Sequence, residues 1–119
     1  MISKGLWHGE TFESCLFTNL IHSPNYKFYL AYLDGEPVAA SMLQLSNGIA
    51  AMDLICTLQE HWRKGIGNAM TKIPLLYARN QGYRIGVLQA SRAGDHGYRK
   101  IGFQEYCRFY IYKFVDTSL

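Results

Sequence analysis

Two dipeptides, Asp34-Gly35 and Asn47-Gly48, constrain the fold of this chain more than anything else in it. Each joins a residue that tolerates a left-handed backbone to a glycine that adopts one freely. That is the requirement of a two-residue turn between antiparallel strands. The flanking stretches are apolar and aromatic: Tyr26 to Leu33, Glu36 to Leu45, and Ile49 to Thr57. The spacing therefore predicts an antiparallel three-strand meander, which needs further elements packed on it to bury its apolar surface.

The segments around the meander follow a helical period. Phe12, Leu16, Leu20 and their neighbours Phe17 and Ile21 predict a helix over Thr11 to Ile21, ended by Ser23-Pro24-Asn25 because proline cannot continue it. From Gly65 to Gln81 the apolar residues Ile66, Ala69, Met70, Ile73 and Tyr77 recur at helical spacing and predict one buried face. Pro74 falls inside that helix, where it should bend it or remove a hydrogen bond, and Gly82 suits its end. Arg84 to Ala90 reads as a short strand, parallel to the third because a helix separates them. A short helix over Asp95 to Ile101, ended by Gly102, and an aromatic closing strand over Tyr106 to Val115 complete the pattern. The expected fold class is α/β, with a mixed sheet in the order α-β-β-β-α-β-α-β. No repeat or linker divides the chain, so residues 1–119 are expected to form one domain.

Composition matters here mainly for what it excludes. With 49% hydrophobic and 18% charged residues, the chain is a core-forming sequence rather than a disordered one. A net charge of +3 favours an anionic ligand slightly, with no basic stripe that would indicate nucleic acid. Cys15, Cys56 and Cys107 form no metal-like spacing with the histidines, so no metal is expected. The scattered cysteines, and the absence of a signal-like or membrane-spanning run, predict a soluble cytoplasmic protein without a membrane partner.

The chemistry is concentrated in Thr57-Leu-Gln-Glu-His-Trp-Arg-Lys-Gly-Ile-Gly-Asn-Ala69, where a strand leads through two glycines into a helix. Glycine lets the backbone approach a ligand, and the first amides of a helix lack internal partners. Together with the helix dipole, those amides suit a pyrophosphate, and Arg63 and Lys64 add positive charge. Gly-x-Gly alone is an ordinary helix start, too short for a dinucleotide fingerprint and without the ending of a nucleotide P-loop.

In context, this stretch resembles the acyl-CoA-binding motif of the GNAT superfamily of N-acetyltransferases, Arg/Gln-x-x-Gly-x-Gly/Ala. A second block, from Leu88 through Tyr98 to Phe103, resembles that family's strand–helix segment ending in Tyr-x-x-x-Gly-Phe. The resemblance runs from about Thr11 to the C-terminus, with both blocks in the family's order. It implies acetyl-CoA as donor, a primary amine of a small molecule, peptide or protein as acceptor, and direct transfer between them. The backbone of Arg63, Lys64, Gly65, Ile66, Gly67 and Asn68 would hold the pyrophosphate. Ile55, Cys56 and Thr57 would lie along the pantetheine arm, with Ser91 near it, and Tyr98 would protonate the departing thiolate.

Two departures from the family pattern stand out. Trp62 occupies the place of the family's first Arg or Gln, with Arg63 one place later. The chain also begins at or near the family's second helix, without the usual preceding strand and helix. The strand at Tyr26 to Leu33 would then present an apolar sheet edge, which predicts a homo-oligomer joined through the N-terminal strands.

Asp53 and Glu60 are the candidate bases for the attacking amine, against the alternatives of a hydrogen-bonded strand carboxylate and a solvated loop charge. His61 and His96 are weaker candidates, and Cys56 reads better as a small buried hydrophobe than as a nucleophile. The rival to an enzyme is a non-catalytic acyl-CoA-binding or partner-binding module on a shortened version of the same fold. A nucleic-acid-binding domain using the aromatic closing strand is a third reading, which the modest charge disfavours.

Overall fold

In the computed structural model, which describes residues 22–115, both turn dipeptides reverse the chain where expected. Asp34 and Gly35 have φ of 52° and 81°, and Asn47 and Gly48 have 53° and 78°. Strand β1 (Tyr26–Leu33) pairs with β2 (Glu36–Ser46), and β2 pairs with β3 (Ile49–Thr57), all antiparallel. Helix α1 (Ile66–Asn80) follows, then β4 (Ile85–Leu88), which pairs parallel to β3, then helix α2 (Arg92–Ile101). The sheet order is β1-β2-β3-β4. This is the mixed sheet with helices that the hydrophobic pattern predicts; the helix expected over Thr11 to Ile21 lies outside the described residues.

The core is organised on β2, whose residues from Val38 to Leu43 are all buried. Small residues at Ala39, Ala40 and Ser41 leave room on a strand covered on both faces. One cluster joins Leu43, Leu45, Ala50 and Met52 to Ala78 of α1, and a second joins Val38 and Ala39 to Met70. Gly86 of β4 sits so close to α1 that an added Cβ would lie 3.1 Å from Leu75 Cδ2. Removing this apolar surface from water, at about 25 cal/mol per Å², is what holds α1 against the sheet.

The buried face of α1 differs from the expected one. Met70, Thr71, Pro74 and Ala78 are buried, whereas Ile73 and Tyr77 are exposed among the described residues. Periodicity by hydrophobicity alone misplaced the face because the polar chemistry at two of its residues is satisfied, one within the helix and one from β2. Thr71 Oγ1 donates to the Gly67 carbonyl at 2.9 Å, so its hydroxyl enters the core already paired.

Pro74 leaves the carbonyl four residues earlier, that of Met70, without its helical donor. The buried Ser41 hydroxyl of β2 donates to that same carbonyl at 2.9 Å. The proline in mid-helix is thus matched by a serine on the central strand.

Three other expectations are corrected. The strand predicted over Arg84 to Ala90 is shorter, ending at Leu88 where its pairing with β3 stops, and α2 begins at Arg92 rather than Asp95 because Ser91 caps it. The closing strand predicted over Tyr106 to Val115 is not formed: the segment carries no strand pairing in the described structure, and its aromatics are exposed. Aromatic content favours a strand only where a neighbouring strand supplies hydrogen bonds and packing.

Ser41→Ala is expected to lower stability by about 1–3 kcal/mol in urea denaturation, because it leaves the Met70 carbonyl buried without a donor. In a Pro74→Ala background the residue-74 amide takes that carbonyl, and the same substitution should then cost less than half as much.

Candidate active site

The site is built where β3 parts from β4. Their pairing ends at Met52 and Leu88, so among the described residues the strand that pairs with β3 from Asp53 to Thr57 is β2. At the same point the β2–β3 register slips between Ala40 and Met42, and Leu54 takes a left-handed backbone with φ of 50°. Asp53 holds this bulge, its Oδ1 accepting the Leu54 amide at 2.8 Å. A bulge re-aims the strand. Here it carries residues 53–57 beyond the β3–β4 ladder, which ends at Met52.

Beyond Thr57 the chain makes a 3-10 turn (Gln59–His61) and reaches Trp62, whose indole Nε1 donates back to the Thr57 carbonyl at 2.7 Å. That bond closes the turn and keeps the glycine segment beside the end of β3. Arg63 (φ 62°) and Gly65 (φ 81°) are both left-handed, which swings the chain into α1. Gly65 is the N-cap residue and provides no side-chain cap, and the first turn of α1 contains no acidic residue. Its carbonyl accepts the Ala69 amide at 3.1 Å, the first bond of the helix. The amides of Ile66, Gly67 and Asn68 precede that bond, so they are the free donors of the helix start.

An added Cβ at Gly67 would meet Thr57 Oγ1 only at 3.8 Å, and at Gly65 it would meet nothing within 4 Å. Room therefore exists around bare amides at the positive end of a helix dipole, the geometry that suits a phosphate. Arg63 and Lys64 are exposed beside it, and Lys64 Nζ lies 3.3 Å from His61 Nδ1.

The second block forms α2. Ser91 caps it, its Oγ accepting the Gly94 amide at 3.3 Å. Tyr98 is half-buried, lies edge-on to Phe103 with ring centroids 6.2 Å apart, and packs back over Gly94. An added Cβ at Gly94 would fall 2.7 Å from Tyr98 Cε2, so only glycine admits the ring in this position. Burial pushes the Tyr98 phenol above its usual pKa of 10.0, which keeps it protonated at neutral pH. Burial likewise raises the Cys56 thiol, making it a poor nucleophile.

Residues 24–105 match the family model described as an acetyltransferase (GNAT) domain, more than half of the chain. The chain belongs to the GNAT acetyltransferase family. Solved structures agree on the fold. AAC(6')-Iy, in complex with the bisubstrate analog CoA-S-monomethyl-acetylneamine, is 17% identical with a TM-score of 0.75, covering 95% of this chain and 86% of that one. The ribosomal-protein-S18-alanine N-acetyltransferase from Escherichia coli is 20% identical with a TM-score of 0.71, covering 84% and 66%. A transcriptional regulator from Bacillus halodurans C-125 is 16% identical with a TM-score of 0.79, covering 96% and 89%. Comparison with curated protein sequences gives no match.

Within this GNAT domain, the described structure gathers Thr57 and residues 62–68 into one turn, with Ile55 and Cys56 on the part of β3 that runs beyond its ladder with β4. Ser91 and Tyr98 share α2, which contacts α1. Asp53 is committed to the Leu54 amide, and Glu60 is exposed on the 3-10 turn with no hydrogen bond or ion pair among the described residues. His96 is exposed on α2. The sequence alone does not reveal the Trp62 indole bond to Thr57 or the Gly94 seat of Tyr98; the four-residue spacing of Gly94 and Tyr98 is the available signal for the second. Among the described residues no helix is long and apolar enough to cross a membrane, and no cluster of candidate ligands could hold a metal.

The two glycines of the turn should respond differently to alanine. Gly65→Ala, forced to keep a left-handed backbone, is expected to cost about 1–2 kcal/mol. Gly67→Ala, inside the helix, should be neutral or gain up to about 1 kcal/mol; paired denaturation curves read the contrast directly.

Proposed function

We infer that this GNAT domain transfers the acetyl group of acetyl-CoA directly to a primary amine of a small molecule, peptide or protein. The observation that carries the reading is the bare start of α1, set beside the stretch of β3 that runs beyond its ladder with β4. A pyrophosphate fits the free amides of Ile66, Gly67 and Asn68, with Arg63 and Lys64 supplying charge at the rim. A pantetheine arm, an amide-bearing chain, fits residues Ile55 to Thr57, whose backbone can pair with it as a strand would. Acetyl-CoA would bring the activated thioester; the protein supplies binding, orientation and protons.

In this reading Tyr98 is the acid. Its hydroxyl stays protonated at neutral pH, and it delivers that proton to the departing sulfur, while Gly94 and Phe103 hold its ring. The amine must be neutral to attack. Glu60 is the freer of the two candidate bases because Asp53 already accepts the Leu54 amide. Ser91, spent as the α2 cap through its Oγ, retains acceptor capacity for the donor's amide groups. A cytoplasmic location and self-association belong to the same reading.

One observation favours the rival, a non-catalytic acyl-CoA-binding or partner-binding module. Where the family motif has Arg or Gln, the exposed Trp62 donates its indole Nε1 to the Thr57 carbonyl. Turnover separates the two readings, because a binding module holds acetyl-CoA without consuming it.

Calorimetric titration with acetyl-CoA should show binding that Gly67→Asp abolishes. A carboxylate at a helix start favours folding by about 0.3–1 kcal/mol yet repels a pyrophosphate, so lost binding in a variant of unchanged or higher stability identifies the cradle. Absence of binding at millimolar acetyl-CoA would refute the enzyme reading. Tyr98→Phe, which keeps the ring and its contact with Phe103, is expected to lower kcat by about a hundredfold or more with little change in KM.

A further inference from the structure

Trp62 sets a large apolar ring at the junction between the end of β3 and the start of α1. The Leu58 amide donates to the Val38 carbonyl of β2 at 2.9 Å. The Thr57 carbonyl belongs to the same trans peptide, so it points the opposite way, to the side of β3 away from β2. Trp62 Nε1 donates to it there at 2.7 Å. The indole therefore stands on the side of β3 that pairs with β4 earlier in the strand, past the point where that ladder ends.

Thr57 also faces the helix start: a Cβ added at Gly67 would lie 3.8 Å from its Oγ1. One residue thus meets the indole through its carbonyl and the glycine cradle through its side chain. The N–H is the only polar group of an indole, and here it is spent on Thr57. Trp62 is nevertheless 50% exposed, so the rest of its side chain offers an apolar surface. A ring tethered at one edge presents that surface in a fixed orientation, at little further entropic cost to a ligand.

Acetyl-CoA has a segment of matching chemistry. Between its amides and its pyrophosphate lies the pantoyl carbon, which bears two methyl groups. With the amides along Ile55 to Thr57 and the pyrophosphate on Ile66, Gly67 and Asn68, the order of the donor brings this carbon to the junction that Trp62 occupies. We propose that Trp62 is a donor-selecting residue whose exposed indole face seats the dimethyl carbon of the pantoyl segment. The inference rests on the acetyl-CoA reading of this site and names the contact that the Trp62 departure from the family motif supplies. Two methyls, each at about the transfer value of a buried CH₂ group, correspond to about a tenfold gain in affinity. Adenine also stacks on indole, but it lies beyond the pyrophosphate, on the other side of the cradle in the order of the donor.

Calorimetry with two probes tests the contact: acetyl-CoA, and 3′-phosphoadenosine 5′-diphosphate, which keeps the nucleotide and pyrophosphate but lacks the pantoyl segment. Trp62→Ala is expected to weaken acetyl-CoA about tenfold and to leave the second probe within about twofold. Equal weakening of both means that the indole acts on the nucleotide or only through the turn, and overturns the proposal. Unchanged acetyl-CoA binding overturns it as well. Nuclear Overhauser spectra of the unaltered chain with acetyl-CoA need no variant to fold. Cross-peaks from the indole ring protons of Trp62 to the two pantoyl methyls are expected, whereas cross-peaks to adenine protons instead, or none from a bound donor, refute the seat. Failure of the unaltered chain to bind acetyl-CoA removes the acetyl-CoA reading and this contact together; binding without the Trp62 effect removes this contact alone.

Discussion

The bond from Ser41 to the Met70 carbonyl is the interaction on which the arrangement of this domain depends. It joins the middle of the central strand to the carbonyl inside α1 that Pro74 leaves without a helical donor. Ser41 stands next to Ala39 and Ala40, which pair with Thr57 and Cys56 at the end of β3. The start of α1 and the end of β3 are therefore both positioned from the same few residues of β2. A phosphate cradle and a strand edge set in a fixed relation are what a long, bent donor molecule requires, and a 1 Å error in such a relation is costly in catalysis.

The second structural decision is the parting of β3 from β4. Sheets gain from pairing every edge, yet here the ladder stops after Met52 while β3 continues to Thr57. The bulge at Leu54, held by Asp53, coincides with that stop. A non-glycine residue in the left-handed region costs on the order of 1 kcal/mol and persists only where its surroundings enforce it. The strain lies beside the proposed donor site, at the point where β3 runs on past its ladder with β4. Asp53, a candidate base by sequence, thus has a structural occupation that needs its carboxylate.

Trp62 shows how a departure from a family motif can preserve geometry while changing chemistry. The indole bond to Thr57 closes the turn, and residues 63–68 then lead into α1. What is lost is a charged or amide side chain at that place, while Arg63 and Lys64 remain exposed nearby. The amides, which are common to every residue type, are indifferent to the substitution.

The sequence by itself determined the elements whose signals are local. Asp-Gly and Asn-Gly fix their turns through backbone sterics, the glycine turn marks a helix start, and the two motif blocks identify the family, because each depends on residues near one another in the chain. Tertiary structure decided the rest. The buried face of α1 moved to Thr71 and Pro74 because a hydroxyl and a missing amide were satisfied, one within the helix and one from β2. The aromatic segment after α2 reads as a strand, yet a strand exists only where another edge meets it, and no local signal specifies that edge. Periodicity records which residues avoid water; which surface each one finds is set by residues far away in sequence.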